Sequence, residues 1–370
     1  MKKTLTAVLL LGLLCGLLSG CGGTSTQAAP TETAASTNTA AATTAAGGTL
    51  NLYTWEGMFP QEVLDDFTKE TGIQVNYSNF DYDETMLAKL ESTKGGDYDL
   101  VIADDYIIQT AISEGLAQKL DTSKMQNYGN VNSVYQGQFF DPTNEYTVPY
   151  GAGVQTIVYD PSAVSINITG YSDLFDPSLK NSIGIIDSNR VIDGLALKIL
   201  GQSYNTENVD TIKAAGEKLK ELAPNIRLIK DDNLQDDLLS GEISVAVMYT
   251  SQVTSAMMAN PNLKVVFPKE GIGFGIMANF IPSKAPNAAA AYAFMNYILR
   301  PDVSAKCFEY LGYYCTNKAA DADISDDYKS FLTLPADLDT SKMEMIQSIG
   351  ADATAAHEQV WTEFKTACGQ

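Results

Sequence analysis

Histidine is nearly absent from this 370-residue chain, which holds only His357. The patterns Gly-x-Ser-x-Gly and His-Glu-x-x-His do not occur. With no nucleophile–base pair and no supported carboxylate pair, neither enzyme activity nor a cofactor is expected. Cysteine is scarce and unclustered: Cys15 lies in an N-terminal apolar run, Cys21 closes it, and Cys307, Cys315 and Cys368 come late. With one histidine these make no metal-site spacing, so no bound metal is expected. One disulfide plus a free thiol stays open for a chain outside the cytoplasm. Basic residues are few, 24 Lys and Arg against 45 Asp and Glu, for a formal charge of −21. Such a surface repels nucleic acid and anionic lipid and keeps the chain soluble. It points to a cationic ligand only weakly. No internal repeat is visible, and beyond Leu18 no apolar run is long enough to cross a bilayer.

What is present begins at the N-terminus. Lys2-Lys3 precede an apolar run from Leu5 to Leu18, which ends in Leu18-Ser19-Gly20-Cys21. The run is too short to span comfortably and reads as a removed signal peptide over residues 1–20. Its end resembles the lipobox of bacterial lipoproteins, which implies that Cys21 becomes the lipidated first residue, anchored to the outer face of a membrane. Losing Lys2 and Lys3 shifts the charge to −23. Gly22 to Gly48 is mostly Thr, Ala, Ser and Gly with Glu32 as its single charge, and it buries too little to order itself. Residues 21–48 are therefore the lipidated cysteine and a slack tether, about 30 Å in root-mean-square span. The rest is enough for two ordinary domains.

The folded part is organised around Leu50 to Tyr106, which reads strand, helix, strand, helix, strand. Leu50–Thr54 stops at Trp55. A helix follows, with Pro60 near its first turn, Val63, Leu64 and Phe67 on one face, and Gly72 at its stop. Ile73–Tyr77 is a strand, and Thr85–Leu90 a helix with Met86, Leu87 and Leu90 in the core. Tyr98–Ala103 is a strand stopping at Asp104-Asp105-Tyr106. This order predicts an α/β fold with a parallel sheet and right-handed crossovers. Ligands of such sheets bind beyond the carboxyl ends of the strands. Trp55, Glu56, Asp104, Asp105 and Tyr106 would meet there, an aromatic face beside carboxylates, suited to an organic cation.

Pro149, Gly151 and Gly153 before the strand Gln155–Tyr159 predict a bend or a crossing between domains. A second α/β set follows. The strand Ser182–Ile186 ends at Asp187-Ser188-Asn189, helices cover Ile192–Leu200 and Val209–Leu222, and the strand Ile243–Met248 ends at Tyr249-Thr250-Ser251. Phe274–Pro282 returns to the first domain. Helices over Ala285–Leu299 and Ala351–Lys365 complete the chain, the last carrying Val360, Trp361 and Phe364, with His357 expected on a solvated face. Two lobes joined by at least two crossings make a cleft that opens and shuts.

Leu52-Tyr53-Thr54-Trp55 followed by Phe67-Thr68-Lys69-Glu70-Thr71-Gly72-Ile73 resembles the spermidine/putrescine-binding proteins of bacterial ABC importers. So do Glu84-Thr85-Met86-Leu87-Ala88-Lys89-Leu90, Tyr98-Asp99-Leu100-Val101, Pro268-Lys269-Glu270-Gly271 and Leu299-Arg300-Pro301-Asp302-Val303. The likeness runs through nearly all of residues 50–368. It implies a two-lobed type II periplasmic-binding-protein fold with a hinged interlobe cleft. Lobe one is then 49–152 plus 276–321, and lobe two 153–275 plus 322–370. It also implies a monomer that captures a small cationic amine of polyamine type and delivers it to a membrane permease driven by cytoplasmic ATPase subunits.

The aromatics that clamp a polyamine in that family correspond to Trp55, Tyr106, Tyr249 and Tyr313, while Met58 and Gly275 replace further aromatics. Ser188, Val191 and Met277 stand where a polyamine binder carries Asp or Glu. Asp104 and Asp231 fall where the family places a small hydroxyl residue, and Asp105 and Asp187 sit one step from pocket positions. A desolvated ammonium needs a paired charge or a full set of acceptors. Losing three anionic partners and gaining two therefore predicts a smaller amine than an extended triamine. Helix capping is the competing use of these acids, Asp104-Asp105 before Ile107–Glu114 and Asp231-Asp232 before Leu234–Leu239. Two other readings share the scaffold: a non-polyamine organic ligand, and a sensory lipoprotein that presents its closed shape to a receptor.

Overall fold

A computed structural model describes residues 48–332, 334–335 and 338–370, so the expectations for the signal segment, Cys21 and most of the tether lie outside the described residues. Among those described, no helix is long and apolar enough to cross a membrane. The chain opens with β1 (Thr49–Thr54), α1 (Gln61–Thr71), β2 (Gln74–Asn79), α2 (Asp83–Thr93), β3 (Leu100–Asp104) and α3 (Asp105–Ser113). Pro60 occupies the N-cap of α1, and Gly72 ends it in a left-handed conformation at φ 74° that costs a residue without Cβ nothing. Val63, Leu64 and Phe67 are its buried face. β1 lies between β2 and β3, parallel to both, as the strand–helix alternation requires.

β4 (Thr147–Tyr159) is one long strand that takes in Pro149, Gly151 and Gly153. Its register slips between Pro149 and Gly151, which fits a residue that has no N–H to give to a ladder. Up to Val154 it pairs with β9, and from Gln155 onward with β7 and β8. It therefore joins the two halves of one sheet.

The second set comprises β5 (Ile183–Ile185), α4 (Asn189–Ile199), α5 (Val209–Lys220), β6 (Ile226–Ile229), α6 (Leu234–Ser240), β7 (Val245–Tyr249), α7 (Thr250–Ala259) and β8 (Lys264–Val266). β9 (Gly273–Phe280) then runs back, antiparallel to both β3 and β4. It is followed by α8 (Ala288–Ile298), α9 (Pro301–Leu311), β10 (Tyr314–Cys315), α10 (Asp326–Leu332), β11 (Glu344–Met345) and α11 (Ala351–Ala367). The strand order is β2-β1-β3-β9-β4-β7-β5-β6. β6, α7, β8, α9, β10, α10 and β11 were not evident from the sequence.

Each end of this curled sheet has its own apolar core. Ile157, Leu195, Leu219, Val247 and Phe364 pack together at one end. Leu50, Leu100 and Phe294, with Met86, Ile108 and Phe280, pack at the other. The 322–350 stretch touches both: Met345 joins the core around Phe280, while Glu344 pairs with Lys198 of α4 at 2.6 Å.

His357 is not on a solvated face. Its side chain is wholly buried, and Nδ1 lies 2.9 Å from Oδ2 of Asp193 on α4, which is equally buried. The reason is helical period. Ala353, Ala356, His357, Val360, Trp361 and Phe364 form the buried side of α11, the spacing of an amphipathic helix, and His357 falls on it.

Candidate functional site

Strand ends converge on one cleft. Trp55 follows β1, Asp104 ends β3, Ser188 follows β5, Asp231 follows β6 and Tyr249 ends β7. Beyond parallel strands the next helix begins, so the chain there is irregular and its side chains are free to face a ligand. The indole of Trp55 leans on Phe80, ring centroids 5.0 Å apart, and stays partly exposed. Glu56 beside it is exposed.

Neither key carboxylate is used up as a helix cap. Asp104 holds the N-cap position of α3, but its side chain makes no capping hydrogen bond. The N-cap of α6 is Asn233, in left-handed conformation, leaving Asp231 outside the helix. Asp104 instead confronts other acids. Burial raises its carboxyl to about 6, against a hydrogen bond with the Asp83 side chain, and Glu84 and Asp231 add to the rise. Asp231 is itself raised, by desolvation first and then by Asp187 and Asp232. Asp104 thus feels an acid from the other end of the sheet.

The tyrosines enclose these acids. Burial raises the hydroxyl of Tyr249, and Asp231 and Asp104 add to this against a hydrogen bond with Ser188. Tyr313 is pushed up to about 12 by burial, against a hydrogen bond with Ser251 and with Asp104 and Asp231 adding. Tyr106 donates to Oε1 of Glu84 at 3.0 Å. The structure therefore brings together Asp104, Tyr106, Ser188, Asp231, Tyr249 and Tyr313.

Two candidates point elsewhere. Asp105 is almost fully buried, its carboxylate accepting from the backbone N–H groups of Tyr106 at 2.8 Å and Ile276 at 2.9 Å. It ties α3 to β9. Asp187 is exposed and accepts from the Trp361 indole at 3.1 Å and Lys365 at 3.3 Å on α11. Asp83 and Glu84 were missed. Three acids among residues 81–84 read as an ordinary acidic helix start, and only the fold shows Asp83 buried against the end of β3.

Cross-strand geometry explains one exchange of charge. Asp104 lies opposite Met277 on the antiparallel β3–β9 pair, and such partners have Cα atoms about 4.5–5.5 Å apart. Asp104 thus stands beside Met277, the position at which the resemblance implies a carboxylate. Val191 and Met58 are buried in the two cores and present no polar group. No ion pair reaches Asp83, Asp104 or Asp231 among the described residues. Arg190, which acts on Tyr106, is already tied to the carbonyls of Gln347 and Tyr204. Nor do the described residues contain a group of three or more His, Cys, Asp or Glu able to hold a metal. Two surface hollows of about 330 and 340 Å³ lie along α1. They contain none of these strand-end residues, so chemistry rather than volume marks the site.

The floor of the cleft is sterically tight. A Cβ on Gly153 would sit 2.6 Å from Cε1 and 2.7 Å from Cδ1 of Tyr313. Gly153→Ala is expected to displace that ring and to lower stability by about 1–3 kcal/mol, as overpacking does. A urea midpoint that falls with an unchanged slope is the check.

Fold and site together define a two-lobed binding protein that holds its ligand between lobes. The comparisons agree. The family described as bacterial extracellular solute-binding protein matches residues 62–336. The chain is 37% identical to the spermidine/putrescine-binding periplasmic protein of Salmonella typhimurium, over 86% of this chain and 91% of that one. It is 29% identical to the putrescine-binding periplasmic protein SpuD of Pseudomonas aeruginosa, over 86% and 92%. Among solved structures, a putative spermidine/putrescine ABC transporter protein from Listeria monocytogenes superposes with a TM-score of 0.79 at 32% identity, over 86% of this chain and 98% of that one. This chain belongs to the bacterial extracellular solute-binding protein family, and its fold is that of the two-lobed periplasmic binding proteins.

Proposed function

We propose that this protein captures a small polyamine of the putrescine/spermidine kind and hands it to the membrane permease of an ABC importer. The carrying observation is the pair Asp104 and Asp231, carboxylates from opposite lobes: Asp231 adds to the rise of the Asp104 carboxyl, Asp231 is itself raised by burial, and no ion pair reaches either among the described residues. A ligand with an ammonium at each end relieves both. Tyr249, Tyr313, Tyr106 and Trp55 supply faces for the methylene chain and cation–π contact of about 0.5–2 kcal/mol. Ser188 offers a hydroxyl, and exposed Glu56 lies beside Trp55. The names of the relatives support the ligand class.

Lobe one spans 49–152 plus 276–321 and lobe two 153–275 plus 322–370. β4 and β9 run between them, so a ligand touching both lobes favours the closed form. A monomer tethered through lipidated Cys21 keeps this cycle beside the permease. In a thermal-shift series on the purified protein, putrescine or spermidine at a hundred times its dissociation constant is expected to add about 2.7 kcal/mol, several degrees in Tm. Neutral diols and dicarboxylates of equal length are expected to add nothing. Silence from every polyamine overturns the reading.

A further inference from the structure

Asp83 is a carboxyl the polyamine reading does not use. It begins α2, is 5% exposed, and its Oδ1 has no hydrogen-bond partner. A native protein rarely strands a buried carboxyl oxygen, because the lost hydration is uncompensated. Asp83 lies against Asp104. Desolvation first and then the Asp104 carboxyl raise it well above the usual carboxylate range, against a hydrogen bond with the Asp104 backbone, and Asp83 in turn acts on the Asp104 carboxyl by a hydrogen bond. The charged and titratable groups around the pair are Glu84 on the same helix, Asp105 and Tyr106 on α3, and Asp231, Tyr249 and Tyr313 across the cleft. Every ionisable group in that set is acidic or phenolic, and no lysine or arginine is paired with the two aspartates among the described residues. Two carboxyls in contact without a cation do not both ionise, so one proton is held between them.

We propose that Asp83 and Asp104 together seat one terminal ammonium of the ligand, and that binding expels the proton they share. This deepens the polyamine reading and rests on it. Before binding, Asp83 and Asp104 carry one proton and one negative charge. The incoming R–NH3+ displaces the proton to solvent, leaving two carboxylates around one ammonium, so both sides of the exchange carry no net charge. The ammonium's donors then satisfy Oδ1 of Asp83, the atom that lacks a partner. A cation beside the pair stabilises its ionised form, which is the driving force for release. A lone carboxylate raised only to about 6, as Asp104 is, is mostly ionised at neutral pH and releases little when it binds the same ammonium. The paired seat therefore extends the rise of affinity with pH across the range in which the pair gives up its proton, beyond what Asp104 alone confers.

Calorimetric titration of the purified protein with putrescine, run at one pH in phosphate and in imidazole, measures proton release from the difference in heats. Wild type is expected to release about 0.5–1 proton per ligand near pH 6.5. Asp83→Asn is expected to release almost none and to bind about tenfold more weakly or worse. Asp81→Asn, which removes an equal charge from an exposed neighbour, is expected to change neither. A purely structural role for Asp83 would lower the melting temperature of Asp83→Asn while leaving its proton count like wild type, and that result overturns the proposal. Should Asp83→Asn fail to fold, wild type alone decides: no proton release and a pH-independent affinity overturn it. If wild type binds no diamine at all, the polyamine reading falls and this inference with it.

Discussion

Asp104→Asn is expected to give a protein that is more stable without ligand at neutral pH and far worse at binding polyamine. Burial and the neighbouring acids raise the Asp104 carboxyl from 3.8 to about 6 in the folded chain. A group whose folded pKa is raised supports folding fully below its unfolded value, and that support is lost as pH climbs through the folded value. Wild type and Asp104→Asn should therefore be similarly stable near pH 4. The gap opens between about pH 4 and 6 and is constant above 7, where it is about 1–2 kcal/mol in favour of the amide, or roughly 2–5 °C in Tm. Binding moves the other way. Removing one partner of a desolvated ammonium costs about 2–5 kcal/mol, roughly thirtyfold to several thousandfold in Kd. Melting curves from pH 4 to 8 with and without putrescine check both halves. An amide variant that is less stable at pH 7 and binds as well as wild type would sink the idea.

The opposing signs express a general trade. A site built to hold a cation is strained while the cation is away, and relieving that strain sacrifices function. Much of the scaffold for this was legible in the sequence. Pro60 and Gly72 bracketed α1 by backbone chemistry that acts locally, and the run Leu50 to Ala103 alternated in the way a parallel unit must. Three of the elements that escaped did so for local reasons too. Pro301 reads as a helix stop, but it sits in the first turn of α9, where its missing N–H is harmless. Tyr249-Thr250-Ser251 reads only as a strand end, yet Tyr249 holds the N-cap position of α7 and the helix starts at once. β6 is only Ile226–Ile229 and is mostly half-buried, too short for alternation to register.

The site divides along the same line. Strand ends can be read from sequence, and Trp55, Asp104, Ser188 and Tyr249 do lie at strand ends. Which carboxylate faces which is a long-range property. Asp83 and Asp104 are far apart in the chain, and nothing local to residues 81–84 distinguishes a buried acid from a helix-starting one. His357 is the contrary case, because its position was readable. It lies three, four and seven residues before Val360, Trp361 and Phe364, all of which face inward on α11. Its polarity argued for solvent, and the period argued for the core. The period won because Asp193 was there to receive it.

His357→Ala should be among the most destabilising single changes in the folded chain. His357 and Asp193 are both fully buried and 2.9 Å apart, joining α11 to α4. Oδ1 of Asp193 already lacks a partner, so the imidazole at Oδ2 is what makes the buried carboxyl tolerable. Burial raises Asp193 to about 6, against the His357 hydrogen bond and Arg190. Deleting the ring leaves a stranded acid and a cavity at once. Breaking such a pair from one side costs about 3–5 kcal/mol, a large share of the stability of an ordinary domain. Adding Asp193→Asn should restore about 1–2 kcal/mol, since an amide is cheaper to bury than an unpartnered carboxylate. The pair is thus expected to show strong non-additivity, as contacting residues do. Urea unfolding of both single variants and the double variant measures the coupling directly. A loss below about 1 kcal/mol for His357→Ala, or strictly additive losses, would mean that packing of α11 rather than the buried pair holds the helix. Ligand affinity should change little in any variant that remains folded, because neither side chain faces the cleft residues.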